Sequence, residues 1–233
     1  MVKRIILQHM TGDMRELDKL SVANIKKYAT IVGADYRLLR GNVFSEKYRP
    51  PIQKVYMIDK EFDEYDEVLM LDIDMFSPKG NTKNVFDEPG IGLYDTVQQQ
   101  LHRRLSKTHP QLASMNHPYW GGAIYKFNKQ DRIHLRKGLE GDSSWIDIFQ
   151  KPGYYGDEGI MCVLANKTKF VSDTPYFQNN KWCYCSFLPD VKNAGFIHMR
   201  TKKPGNPNGT WNNGGKQEKI ENYKTLVKQG VLE

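Results

Sequence analysis

Asp72-Ile73-Asp74 is the group of residues in this sequence best suited to chemistry. It follows Val68-Leu69-Met70-Leu71, an unbroken apolar run of the kind found in a strand buried on both faces. Alternation along a strand predicts that both aspartates share one face, roughly 6.5–7 Å apart. Two unpaired carboxylates so placed repel each other and lose hydration, and a divalent cation relieves both costs. Hard oxygen ligands favour Mg²⁺ or Mn²⁺, ions that also bridge to phosphate oxygens. An arbitrary Asp-x-Asp is more often a solvated strand cap; here the motif closes a buried run and enters the loop Met75-Phe76-Ser77-Pro78.

The elements around the motif must deliver it to a ligand. Ile5–His9 reads as a first strand that breaks at Thr11-Gly12-Asp13. A helix follows over Met14–Val32, with Leu17, Leu20, Tyr28 and Ile31 near one face, Asp13 as N-cap and Gly33 as stop. Asp35–Arg40 reads as a second strand. Pro50-Pro51 opens a second helix with the stripe Ile52, Val55, Ile58 and Phe62, and then comes the buried strand before Asp72. Strand, helix, strand, helix, strand predicts a three-layer α/β unit with a parallel sheet, whose ligands bind at the carboxyl edge of the strands.

In the second half, Gly90–Tyr94, Gly122–Phe127 and Phe196–Met199 read as strands and Asp157–Ala165 as an apolar helix. The stretch Lys203–Gly215 is rich in Pro, Gly and Asn and reads as an exposed mobile loop, with a surface helix over Lys216–Val231. No repeat or linker divides the 233 residues, so one domain is expected. It divides into a first half over about 1–100, a second half over about 101–204, and the loop and final helix over 205–233.

A net charge of +7 favours anionic partners, but the Lys and Arg are scattered and carry no nucleic-acid-binding signature, so no nucleic-acid partner is expected. The three cysteines, Cys162, Cys183 and Cys185, lack zinc-finger spacing and suit a reducing compartment. The run Ile5-Ile6-Leu7 is too short for a signal peptide and no stretch has the length of a membrane span. A cytoplasmic setting is the expectation, in a bacterium or in the host of a virus.

The segment Tyr65–Asp74 resembles the DxD segment of GT-A-fold glycosyltransferases, particularly glycogenin and the bacterial galactosyltransferases related to it. Three further segments fall in that family's order: Tyr119-Trp120-Gly121-Gly122-Ala123, Tyr155-Gly156-Asp157-Glu158-Gly159, and Phe196-Ile197-His198 followed by Lys202-Lys203-Pro204. Glu158 stands where the family usually has Gln, Gly121 where it often has Asn, and the spacing from His198 to the Lys-Pro pair is one residue short. The resemblance spans residues 3 to about 204. It implies a GT-A-like α/β/α sandwich with a mostly parallel central sheet and a Rossmann-like nucleotide-binding half. It also implies transfer of a sugar from a nucleotide-sugar donor, a UDP-sugar in preference to a GDP-sugar, to a glycan or glycoprotein acceptor.

Under this resemblance Asp72, Asp74 and His198 hold Mn²⁺ or Mg²⁺, which stabilises charge developing on the leaving phosphate. Lys203, or Lys202, adds positive charge at the phosphates. Asp157 lies at the reacting centre, as a base for the acceptor hydroxyl or as an orienting group for the donor sugar, and Glu158 lies beside it. Asp157 also suits a helix N-cap. Gln8, His9 and Thr11 are placed at the nucleoside, Lys54 at the nucleotide or donor sugar, and Trp120, Gly121 and Gly122 on the acceptor side. Tyr119, Trp120, Trp182 and Trp211 are candidate sugar platforms; core packing is the ordinary fate of a Trp, and Trp211, in a Gly- and Asn-rich stretch, is the exception.

Three rival readings stand beside this one. A haloacid-dehalogenase-like phosphohydrolase also places Asp-x-Asp after a buried strand, but follows it with Thr or Val where Phe76 stands. A sugar nucleotidyltransferase needs a Gly-rich loop after its first strand, and His9–Asp13 contains one Gly. A catalytically inactive carbohydrate-binding protein of the same fold would have little need of both Asp72 and Asp74.

Overall fold

The computed structural model describes residues 2–151, 156–186, 190–202, 211–212 and 216–233. In chain order the elements are β1 (Arg4–Met10), α1 (Glu16–Ile31), β2 (Asp35–Arg40), a 3-10 helix (Pro50–Ile58), β3 (Glu67–Leu71), β4 (Met75–Phe76), β5 (Gly92–Leu93) and α2 (Thr96–Thr108). They continue with β6 (Gly121–Asn128), α3 (Lys129–Arg136), α4 (Gly156–Thr168), a short α5 (Asn179–Trp182), β7 (Tyr184–Cys185), β8 (Ile197–His198), β9 (Thr201–Lys202), β10 (Trp211–Asn212) and α6 (Lys216–Lys228).

The central sheet has the order β2-β1-β3-β6-β5. β1 pairs in parallel with β2 and β3, while β6 is antiparallel to both β3 and β5. Four strands therefore share a direction and β6 opposes them, in keeping with a mostly parallel sheet. Val68 to Leu71 is buried on both faces, as the apolar run requires. Its even-numbered side chains, with Tyr125, join a large core with the 3-10 helix and α4; its odd-numbered ones join Ile25 and Tyr28 of α1.

The reversed β6 decides where the site lies. Its pairing places the carboxyl end of β3 beside the amino end of β6, with Leu71 opposite Ile124 and the Asp72 N–H bonded to the Ala123 carbonyl at 3.1 Å. A second small sheet, β4-β8-β7, extends from this junction. In it Met75 pairs with His198, and the Met199 N–H donates to the Asp74 carbonyl at 3.0 Å. α6 covers β4 through Ile220 and Leu226, which pack with Leu17, Phe76 and Ile197.

Several expectations need correction. The strand before the motif ends at Leu71, so Asp72 and Asp74 occupy a turn, closed by Met75 N–H to the Asp72 carbonyl at 3.2 Å. Strand alternation therefore does not bring the two carboxylates together; the turn does. The Pro50 helix is of the 3-10 type, with two consecutive prolines in its first turn. α1 begins two residues later than expected, and Arg15 and Asp18 close its N-terminus instead of Asp13. Gly33 ends it with φ +67°, as anticipated. α2 has no counterpart among the sequence-based elements. The Gly90–Tyr94 strand contracts to Gly92–Leu93 with a bulge. Most of the Lys203–Gly215 loop lies outside the described residues, and its Trp211 belongs to β10, paired with β9.

Candidate active site

A cavity of about 910 Å³ opens at the junction of β3, β6 and the small sheet. That volume suits a ligand the size of a nucleotide or larger. Asp72, Asp74 and His198 line one part of it, and Lys54, Gly121, Gly122, Asp157 and Glu158 another.

His198 reaches the aspartates because β8 pairs with β4. Its Nε2 lies 3.1 Å from Asp74 Oδ1 and 3.6 Å from Asp72 Oδ2. The three ligand atoms fall within 4.8 Å of one another. Nε2 is buried, yet it makes no hydrogen bond of acceptable geometry among the described residues despite its closeness to Asp74. Burial, then the charge of Arg200, depress the His198 pKa, which favours the neutral ring. A neutral imidazole with an unpartnered buried nitrogen beside two carboxylates fits a divalent-cation site. A cation held through Nε2 would need the ring proton on Nδ1, where the long 3.4 Å contact donated by Arg200 Nε would have to give way. Burial opposes ionisation of Asp74, but His198 when protonated, then Lys219 and Arg200, lower the pKa of its carboxyl. With His198 neutral, Lys219 of α6 is the close permanent positive charge, 2.6 Å from Asp74 Oδ2.

The second cluster is organised by Lys54. Its ammonium, almost fully buried, meets Asp72 Oδ1 at 2.7 Å, Asp157 Oδ2 at 2.8 Å and the Gly122 carbonyl at 2.7 Å. Burial alone would depress the Lys54 pKa; Asp157 and Asp72 more than reverse this and raise it. Tyr125 of β6 donates to the same Asp157 oxygen at 2.9 Å. Glu158 receives the Gly122 N–H on Oε1 at 2.7 Å. Burial, then the neighbouring Asp157, push the Glu158 pKa up to about 8. Gly122 is required at this spot, because a Cβ there would lie 2.3 Å from Asp157 Oδ2.

The remaining expected site residues divide. His9 and Thr11 line the cavity, with His9 Nε2 2.8 Å from the Gly41 carbonyl. Gln8 does not. It is fully buried, its amide nitrogen bonding Ser21 Oγ at 3.0 Å and the Asp72 carbonyl at 3.1 Å and its oxygen receiving Tyr36 OH, so it holds the Asp72 turn from behind. Trp120 is core: its Nε1 donates to the Pro175 carbonyl at 2.8 Å and its ring meets Phe127 and Phe170 edge-on. Tyr119 stacks on His102, and Trp182 packs on Phe177 and Phe196. No Phe, Tyr or Trp lines the cavity among the described residues. Lys203 lies outside the described residues, and Lys202 is in β9.

Sequence reading missed Arg15, Asp95, Gln98 and Arg200, which line the cavity, and Tyr125 and Lys219, which brace it. Arg200 had a signal, two positions beyond His198 in an extended segment. Lys219 had none.

No family model matches the sequence, and no curated protein matches it either. Solved structures do share the fold. A glycosyltransferase involved in glycosylation of the major capsid of PBCV-1 aligns with a TM-score of 0.57 at 12% identity, over 97% of this chain and 99% of its own. The galactosyltransferase LgtC, solved with donor and acceptor sugar analogues, aligns with a TM-score of 0.53 at 13% identity, over 96% of each chain. The chain thus has the GT-A-like α/β fold of these transferases. No helix among the described residues is long and apolar enough to cross a membrane.

Proposed function

We propose that this protein is a metal-dependent glycosyltransferase that moves a sugar from a nucleotide-sugar donor to a hydroxyl group of a glycan or glycoprotein. The observation that carries the reading is the convergence of Asp72, Asp74 and the unpartnered His198 Nε2 on the cavity wall shared with Lys54, Asp157 and Glu158, in a fold of this type. Asp72, Asp74 and His198 would hold Mn²⁺ or Mg²⁺, which when bound supplies Lewis-acid stabilisation of the departing nucleoside diphosphate.

The protein's own groups do the rest. His9 and Thr11 border the nucleoside side, and Lys203 is assigned to the phosphates. Lys54 fixes Asp157 relative to Asp72, so the reacting centre is held at a set distance from the metal ligands. One Asp157 oxygen is already taken by Lys54 and Tyr125, which weakens it as a proton acceptor and favours a positioning role at the donor sugar. Gly121 and Gly122 border the cavity, where an added Cβ would crowd Gln98 and Asp157 respectively. A UDP-sugar is the proposed donor.

Calorimetric titration of UDP and of GDP, each with and without Mn²⁺, tests the reading on wild type and on Asp72→Ala/Asp74→Ala. Metal-dependent binding of UDP that disappears in the double variant is the expected result. A folded wild-type protein that binds neither nucleotide would overturn it.

A further inference from the structure

The two neighbouring acids of α4 are treated differently by their surroundings. Asp157 receives an ammonium and a phenol hydroxyl on one oxygen. Glu158 receives one neutral N–H, from Gly122, on Oε1. Its Oε2 is buried with no hydrogen-bond partner among the described residues, although the residue lines the cavity and is only 7% exposed. A buried carboxylate oxygen left without a donor is costly, whereas a carboxylic acid at the same place needs only an acceptor for its proton.

The charges facing Glu158 point the same way. Asp157 on its own helix and Asp72 on the β3–β4 turn are acidic, Lys54 of the 3-10 helix is basic, and Tyr125 of β6 carries a neutral hydroxyl. Lys54 is already shared between Asp72 and Asp157. Of the three acids in this cluster, Glu158 has the weakest set of donors and is the one that best keeps its proton.

Resting on the transferase reading above, we propose that Glu158 works as a neutral carboxylic acid, its Oε1 fixed by the Gly122 N–H and its Oε2–H donated to an oxygen of the bound sugar. A carboxylic acid then presents the acceptor and donor of an amide, an oxygen toward the backbone and a proton toward the ligand. Glu158 is accordingly a sugar-recognition residue and not the base that deprotonates the acceptor.

The test has two readouts. Infrared difference spectra of wild type against Glu158→Gln, recorded from pH 5 to pH 9 on the free protein, report the proton without any substrate. A protonated-carboxyl band present at pH 6.5 and lost near pH 8 is expected. Calorimetry with UDP-sugars and Mg²⁺ over the same range then reports its use. Wild-type affinity should fall up to about tenfold per pH unit above the transition, Glu158→Gln should show no such fall, and Glu158→Ala should bind more weakly than Glu158→Gln at pH 6.5. A carboxylate band already complete at pH 6.5 overturns the proposal. So does donor affinity that ignores a titration seen by infrared, which would make the proton structural only. If the folded protein binds no nucleotide sugar at any pH, the transferase reading fails and the sugar contact fails with it, a result distinct from the other two.

Discussion

Lys219 Nζ lies 2.6 Å from Asp74 Oδ2, so the C-terminal helix supplies a positive charge directly to a proposed metal ligand. Both side chains are only 13% exposed. The ammonium neutralises part of the charge that would attract a cation, and it also braces α6 against β4. Replacing Lys219 by Met is expected to tighten Mn²⁺ binding by roughly tenfold, about 1.4 kcal/mol. The same change should lower the stability of the metal-free protein by about 3 kcal/mol, the cost of stranding a largely buried charge. Titration calorimetry and denaturant melts check the two together. Unchanged Mn²⁺ affinity would show that this ion pair is not felt at the cation site.

Asp72, Asp74 and His198 also predict how the fold responds to metal. A cation that binds only the native state adds about 2.7 kcal/mol at a concentration one hundred times its dissociation constant. For a chain of this size that corresponds to a rise in Tm of roughly 5–10 °C. Thermal melts with saturating Mn²⁺ should show this rise in wild type and lose most of it in Asp74→Asn and in His198→Ala. An equal rise in all three proteins would place the responsible cation elsewhere.

The elevated Glu158 pKa carries a consequence for stability that needs no substrate. In the unfolded chain the group loses its proton near 4.5, and in the fold near 8. The native state therefore binds more protons across this window, so stability is highest below it and falls as pH rises through it. The slope approaches 1.4 kcal/mol per pH unit, as an order of magnitude. Urea melts of the metal-free protein at pH 5 and pH 8.5 should show a larger loss in wild type than in Glu158→Gln. Parallel losses would mean that Glu158 titrates alike in both states.

Much of the fold can be read from local pattern, and much of the site cannot. Val68 to Leu71 reveals itself because a strand covered on both faces has no polar position to interrupt it. The alternation over residues 5 to 71 likewise specifies the parallel strands. α2 is hidden because its buried positions include Gln98 and His102, polar residues that blur the periodicity. Asp72 and Asp74 are legible as a pair, but the turn that joins them depends on Gln8 and on the β4–β8 pairing, neither visible in the motif itself. Residue type also misleads where two uses compete: Trp120 packs as core and Gln8 as a buried brace. Lys219 lies 145 residues from its partner on a helix whose pattern says only that one face packs.

Gly122 offers the sharpest separation of chemistry from metal binding. An alanine Cβ there would approach Asp157 Oδ2 to 2.3 Å and Lys54 Nζ and Tyr125 OH to 3.1 Å each. Asp157 cannot yield freely, because those same two groups hold it. Gly122→Ala is therefore expected to displace Asp157 from Lys54 and cost about 1–3 kcal/mol of stability, as overpacking does. Asp74 and His198 lie outside this clash and Asp72 is joined to it only through Lys54, so metal-dependent UDP binding should largely persist. Turnover should fall by roughly a hundredfold, the usual effect of misplacing a reacting group by about 1 Å. Sugar-transfer rates set against UDP affinity measure the split. Near-normal turnover in a folded Gly122→Ala protein would show that the Lys54–Asp157 geometry is not needed for the reaction, and an equal loss of UDP binding would place the damage at the metal site instead.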